Sequence, residues 1–335
     1  MMNWFDVLDW GIEGKGWRDT EAPFDRLPAK AKGVVPEAVW NLSHSATGMY
    51  AGFRTNATQI HARWQLGSER LGEANFPVAA FSGLDLYADD NGVWRWAAAT
   101  QNLTSQTPEV CVIEGMAGGM RDFRLYLPLR NPVRKLEIGV PDDAKFTPVA
   151  PSSAKPLVFY GTSIVHGAYA SHAGMVHSSI LGRRLGCPVI NLGFSGVGKM
   201  EIALADLLAE LDARVYILDT LPNMGLDLVL ERAEAFVRRL RALRPGVPIV
   251  LVEDRPLGNY WIKPAVKQGH EKKWQAFRTI YETLVRDGMD KLHYVPGRDL
   301  FGTDSEGSLD SSHPSDLGYM RMADCLDPVL RPLVK

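Results

Sequence analysis

Between Trp40 and Pro141 the apolar residues fall on every second position: Met49, Ala51 and Phe53; Ile60, Ala62, Trp64 and Leu66; then Leu84 and Leu86 ahead of the turn Asp90-Asn91-Gly92. A period of two places these side chains on one face of a pleated strand, so the pattern predicts strands with one face buried and one in water. Val93–Trp96, Val110–Ile113, Phe123–Leu127 and Leu136–Ile138 continue the series, with no 3.6-residue period between them. Many short strands separated by turns predict an antiparallel sandwich. The stretch from Pro141 to Pro156, rich in proline with Lys, Ser and Asp, reads as a linker.

Beyond it the alternation stops. Leu157–Tyr160, Val189–Leu192, Val215–Leu218 and Ile249–Val252 are short continuous apolar runs, the kind buried on both faces in a parallel sheet. Helical spacing lies between them. Leu230, Ala233, Val237 and Leu240 form one stripe, ended by Pro245-Gly246, and Trp274, Phe277, Tyr281 and Leu284 form another, ended by Gly288. The sequence therefore predicts an all-β sandwich over residues 1–145 and a three-layer α/β domain over residues 156–335.

Composition narrows the function without choosing it. The 335 residues are 46% hydrophobic and 23% charged, which excludes disordered and fibrous classes. Lys and Arg number 37 against 39 Asp and Glu, so no basic surplus exists to neutralise a phosphate backbone, and nucleic acid is not an expected partner. Cys111, Cys187 and Cys325 are far apart and odd in number, which offers neither a disulfide framework nor a CxxC metal site and suits a reducing compartment. The N-terminal stretch mixes acids with tryptophan rather than following a basic start with an apolar run. No run of about 18 apolar residues occurs either. The expectation is a cytoplasmic chain without a membrane partner, with homo-oligomerisation left open.

In open parallel sheets reactive groups collect at the carboxyl ends of the strands. The first run ends in Gly161-Thr162-Ser163-Ile164, the second in Asn191-Leu192-Gly193-Phe194-Ser195-Gly196, the third in Leu221-Pro222-Asn223, and near the C-terminus comes Asp310-Ser311-Ser312-His313-Pro314. Taken singly, Ser163 reads as a helix N-cap, His313 as a surface histidine and Asn223 as a turn residue. Together they supply what acyl transfer needs: a hydroxyl nucleophile, an imidazole to take its proton, a carboxylate to orient the imidazole, and N–H donors for the oxyanion. The donors would be the backbone N–H groups of Ser163 and Gly196 and the amide of Asn223.

These four blocks, in this order along an α/β domain, resemble those of the SGNH hydrolases, also called GDSL esterases. The resemblance implies a flavodoxin-like sheet, Ser163 as nucleophile, Asp310 and His313 as its triad partners, and Gly196 and Asn223 in the oxyanion hole. The fuller wording, with Leu218-Asp219-Thr220-Leu221-Pro222-Asn223-Met224 and Val252-Glu253-Asp254-Arg255, resembles the bacterial subgroup with an N-terminal jelly-roll-like sandwich, linked to carbohydrate esters. It implies a serine esterase removing small acyl groups, acetyl foremost, from a small-molecule or oligosaccharide substrate, with no cofactor. Two positions depart from the common pattern: Thr162 stands where Asp is usual, and Asn223 lacks its usual glycine and acidic neighbours.

Competing readings attach to specific residues. Gly193 to Lys199 fits the spacing of a phosphate-cradling loop, but Met200 occupies the position whose hydroxyl would hold magnesium. His166, His172 and His177 are close in sequence yet lack zinc-ligand spacing, so no metal is expected. His166, one turn after Ser163, and Glu253 with Arg255 at the fourth strand end are candidate substrate contacts, with a buried Glu253–Arg255 pair as the structural alternative. Trp40, Trp64, Trp94 and Trp96 suit sugar stacking or, more ordinarily, sheet packing. A catalytically silent carbohydrate-binding protein is the alternative from another functional class.

Overall fold

A computed structural model describes all 335 residues. The chain forms two compact units that exchange short segments: the first holds Met1–Ala29, Ser43–Ala154 and Ala170–Gly174, the second Lys30–Leu42, Lys155–Tyr169 and Met175–Lys335.

The first unit is a sandwich of nine strands: β1 (Met2–Asp6), β2 (Tyr50–Thr55), β3 (Ile60–Leu66), β4 (Asp85–Asp90), β5 (Val93–Ala99), β6 (Glu109–Ile113), β7 (Arg121–Tyr126), β8 (Val133–Pro141) and β9 (Phe146–Val149). One antiparallel sheet runs β1-β8-β3-β6 and the other β5-β4-β7-β2-β9, a jelly-roll order with β9 added at one edge. Inward residues of both sheets share one core: Ala51 and Phe53, Ala62 and Trp64, Leu84 and Leu86, Phe123 and Leu125, Leu136 and Ile138 are all nearly or fully buried. The alternating pattern thus marks the inner faces. Two edge strands escape it, because a strand paired on one side and half exposed need not alternate: β1 and β9. The expected linker therefore contains a strand, with β9 pairing β2 from Gly52↔Val149 to Thr55↔Phe146.

The second unit carries a parallel sheet of β10 (Leu157–Gly161), β11 (Val189–Gly193), β12 (Val215–Asp219), β13 (Ile249–Val252) and β14 (Leu292–Val295). Its order, β11-β10-β12-β13-β14, is the flavodoxin-like one, with the switch in winding direction between β10 and β12. Two short helices come early in the chain: α1 (Glu37–Leu42), which belongs to this unit, and α2 (Val78–Phe81), which belongs to the sandwich. Then follow α3 (Ser163–His166), α4 (His177–Leu185), α5 (Ile202–Leu208), α6 (Leu226–Leu243), α7 (Pro264–Arg286) and α8 (Asp316–Leu330). Consecutive residues of β10 show the three layers: Phe159 meets His177 of α4 edge-on, while Tyr160 stacks on Phe236 of α6. No helix is long and apolar enough to cross a membrane.

The helical stripes need one correction. Along α6 the buried residues are Val229, Ala233, Phe236, Val237 and Leu240, whereas Leu230 is 60% exposed. On α7 the buried set is Phe277, Ile280 and Leu284, with Trp274 and Tyr281 only half-buried. The four candidate sugar-stacking tryptophans divide as packing residues first: Trp40 and Trp64 are buried, Trp94 lies under the Arg124 guanidinium at 3.9 Å, and of the four only Trp96 is largely exposed.

The phase of α6 is directly testable. Phe236→Ala should cost about 3–5 kcal/mol by removing a fully buried ring, whereas Leu230→Ser should stay within about 0.5 kcal/mol. Urea unfolding of the two variants would return equal losses if the expected stripe, not the observed one, faced the sheet.

Candidate active site

The ends of β10, β11 and β12 converge because glycines remove every side chain from the approach. A Cβ on Gly161 would lie 2.3 Å from the Asp219 carbonyl oxygen, one on Gly193 2.2 Å from the His166 nitrogen, and one on Gly198 2.1 Å from the Gly161 oxygen. Phe194 N–H donates to the Gly161 carbonyl at 2.9 Å, which seats the loop after β11 against the residue two before Ser163. These glycines serve backbone packing. Lys199 N–H donates to Glu201 and the next helix, α5, starts only at Ile202, so the loop lacks the strand–loop–helix form of a phosphate cradle.

At the first strand end the N-cap is Thr162, whose Oγ1 accepts from Ile164 N–H, and Ser163 is the first helical residue. That assigns the capping role to the neighbour and leaves the Ser163 hydroxyl for other work. It also accounts for threonine in place of aspartate, since both cap helices. Ser163 Oγ lies 2.8 Å from His313 Nε2, and His313 Nδ1 lies 2.8 Å from Asp310 Oδ2. Asp310 Oδ1 accepts from Ser312 N–H at 2.9 Å and His313 N–H at 2.7 Å, so one carboxylate fixes both the turn and the ring. Partial burial pushes the Asp310 carboxyl up, but those hydrogen bonds outweigh it and hold it below the usual range. Tyr169, missed in the sequence, places its ring 5.6 Å from the His313 ring. Its backbone is left-handed (φ 66°), a feature no residue pattern announces.

The candidate oxyanion donors sit on the two neighbouring strand ends. Gly196 adopts φ 75°, a conformation that turns the loop sharply. Asn223 closes a short turn, Leu221–Asn223, and donates one amide hydrogen to the Val197 carbonyl at 2.5 Å; its second hydrogen has no protein acceptor. The structure thus ties the Asn223 side chain to the glycine loop and ties that loop to the start of α3.

The three candidate substrate contacts are all buried and engaged by protein groups. His166 Nδ1 lies 3.1 Å from Ser195 Oγ. Glu253 accepts from Tyr294 hydroxyl at 2.6 Å, Gly297 N–H at 2.7 Å and Arg278 at 3.0 Å, and does not pair with Arg255. Arg255 instead pairs with Asp254 and donates to Ser312. We therefore do not carry these residues forward as substrate contacts. The three histidines near Ser163 also diverge: His172 Nδ1 meets Asp85 at 2.7 Å, and His177 stacks on Tyr319 with its centroid 5.8 Å away.

Fold and site together define an SGNH-type hydrolase unit, preceded in the chain by a jelly-roll sandwich. Residues 154–331 match the family model of GDSL-like lipases and acylhydrolases, and residues 2–146 match GxDLY, the N-terminus of SGNH-hydrolase-type esterases. The chain belongs to the GDSL-like lipase/acylhydrolase family, a family of ester hydrolases. Among solved structures, a protein from Bacteroides ovatus assigned as a GDSL-like lipase is 30% identical over 100% of this chain and 98% of its own, with a TM-score of 0.93. The salicylyl-acyltransferase SsfX3 from a tetracycline biosynthetic pathway is 20% identical, covering 99% and 97% of the two chains at 0.79. A family two carbohydrate esterase from Cellvibrio japonicus is 16% identical, covering 100% and 98% at 0.64. The last two likenesses are of fold. No curated protein matches the chain.

The motif in the N-terminal match, here Gly83-Leu84-Asp85-Leu86-Tyr87, was invisible as anything but a strand, yet it has a structural task. A Cβ on Gly83 would lie 2.5 Å from the Thr100 carbonyl oxygen. Asp85 accepts from His172 and, at 2.6 Å, from Gly174 N–H, and Tyr87 packs where a Gly174 side chain would stand. The motif captures the Ala170–Gly174 segment that follows Tyr169.

Beneath the strand ends two buried carboxyls differ. Asp254 is pushed up by burial, but Arg255, Lys273 and His270 outweigh this and hold it low; Asp219, whose Oδ2 has no hydrogen-bond partner, is pushed up to about 7 by burial. Between its usual value and about 7 the native state keeps a proton that the unfolded chain releases, so Asp219 lowers stability as pH rises through that window. Asp219→Asn does not titrate, and should gain roughly 1–3 kcal/mol relative to wild type between pH 5 and pH 8. Urea unfolding at both pH values checks this; an unchanged difference would contradict it.

Proposed function

We propose that the protein is a serine esterase acting through Ser163, His313 and Asp310, with an acyl-enzyme on Ser163. The observation that carries the reading is the unbroken hydrogen-bonded series from Asp310 through His313 to Ser163 Oγ. Asp310 accepts the Nδ1 hydrogen of neutral His313, which leaves the Nε2 lone pair facing the hydroxyl. As Ser163 Oγ attacks the ester carbonyl carbon, its proton passes to Nε2. Collapse of the tetrahedral intermediate breaks the bond to the alcohol oxygen, which leaves with that proton. Water then repeats the sequence on the acyl-enzyme and releases the acid. The Ser163 and Gly196 N–H groups and the free hydrogen of Asn223 meet the developing oxyanion, each donor being worth about 2.7–4 kcal/mol.

For the substrate we propose a small acyl ester, acetyl foremost, on a carbohydrate. Support comes from the shared two-domain plan with the family two carbohydrate esterases, one of them from Clostridium thermocellum in complex with cellohexaose. The intact series of contacts at Ser163 favours an enzyme over a silent sugar-binding protein on the same scaffold.

Ser163→Ala should remove turnover of p-nitrophenyl acetate while leaving the unfolding midpoint unchanged. Asn223→Ala should lower kcat by roughly 10²- to 10³-fold with little change in KM, because its donor acts on the transition state. Lys199→Ala should have little effect on either constant. Acetate release from a panel of acetylated oligosaccharides tests the substrate class, and hydrolysis of simple esters without release from any sugar would remove the carbohydrate assignment.

A further inference from the structure

We propose that Arg255, Asp254 and Lys273 form a buried mount that positions both sides of the active site, the His313 loop through Arg255 and the Asn223 turn through Lys273. The inference deepens the esterase reading and rests on it.

The loop from Ser308 to His313 does not hold its shape unaided. Ser311 sits in the left-handed region (φ 71°), which disfavours any residue with a Cβ and persists only where surrounding contacts enforce it. Asp310 braces the turn from within, and the outward carbonyls are taken one by one. Ser311 oxygen accepts from Gly258 N–H at 2.8 Å and His313 oxygen from Ser308 Oγ at 2.6 Å. Ser312 oxygen accepts from Arg255, Nε at 2.8 Å and Nη2 at 2.5 Å, and Nη2 reaches Ser312 Oγ as well at 2.8 Å. Arg255 thus supplies the charged, two-pronged contact, and it grips the residue between the two triad members that follow Ser163.

The guanidinium is itself fixed. Arg255 and Asp254 are 3% and 1% exposed, and Nη1 donates to Asp254 Oδ1. Asp254 Oδ2 accepts from Lys273 Nζ on α7, with His270 Nδ1 3.5 Å away. Lys273 Nζ also donates to the Leu221 carbonyl at 3.2 Å, the first residue of the turn that ends at Asn223. One buried carboxylate therefore joins the cation that holds the general base to the cation that holds the oxyanion donor. The backbone beside it leaves no slack, because a Cβ on Gly297 would lie 1.9 Å from the Asp254 carbonyl oxygen. Buried ion clusters are seldom retained for stability, since apolar residues of similar volume often do as well. Their use here is to hold two loops in one arrangement.

The test uses the full chain and p-nitrophenyl acetate, with kcat expressed per folded molecule from circular dichroism. Arg255→Lys keeps a charge for Asp254 but loses the fork, and should lower kcat at least roughly 10-fold with KM within about twofold. In a His313→Ala background the same change should cost less than about twofold, because the group it positions is gone. Lys273→Met should behave likewise against Asn223→Ala, and decides the matter should Arg255→Lys not fold. Wild-type kcat in both variants, or equal fold-losses with and without His313 and Asn223, would overturn the proposal and leave the esterase reading standing. Full turnover by Ser163→Ala would remove the esterase reading, and this proposal with it.

Discussion

The close approach of three strand ends is the constraint on which the rest of the second unit depends. Gly161, Gly193 and Gly198 lie against backbone atoms at distances no Cβ tolerates. Because these segments touch backbone to backbone, the start of α3, the Gly196 loop and the Asn223 turn occupy one small region. Placing the winding switch between β10 and β12 puts that region where an open α/β sheet leaves a crevice. The chemistry then needs only one more loop, Ser308 to His313, brought in from the far end of the sequence.

Much of this was legible in the residues. Alternation found the inner faces of β2, β3, β4 and β7, and continuous apolar runs found β10 to β13, because in each case burial repeats with the strand geometry. β1, β9 and β14 carried no such signal: each is an edge strand with partly exposed residues, β14 holding a half-exposed His293, whereas the edge strand β11 is buried throughout and reads as an apolar run. The phase of α6 was misjudged at Leu230 because a leucine is equally plausible on a stripe's border, and only packing against the sheet decides it.

The site divides in the same way. Ser163, His313, Asp310, Gly196 and Asn223 stand at strand ends or in a short Asp-x-x-His run, so order and residue type carried them. Glu253 and Arg255 follow the fourth apolar run and were candidates for a buried pair, but β13 ends at Val252, so the shared face of residues two apart in a strand does not extend to them. Glu253 turns to Tyr294 and Gly297, Arg255 to Ser312. Tyr169 and Asp85 depend on partners far away in the chain, His313 and His172, and Lys273 on Asp254 and Leu221, 19 and 52 residues away, and local pattern says nothing of such pairings.

In the proposed mechanism Ser163 carries the acyl group during turnover. Wild-type protein mixed with p-nitrophenyl acetate, acid-quenched within the first turnovers and digested, can be read by peptide mass spectrometry. An acetyl group is expected on Ser163 that disappears as substrate is exhausted. Steady ester hydrolysis with Ser163 unmodified at every quench time, or with acetyl transiently on a different side chain, would contradict it.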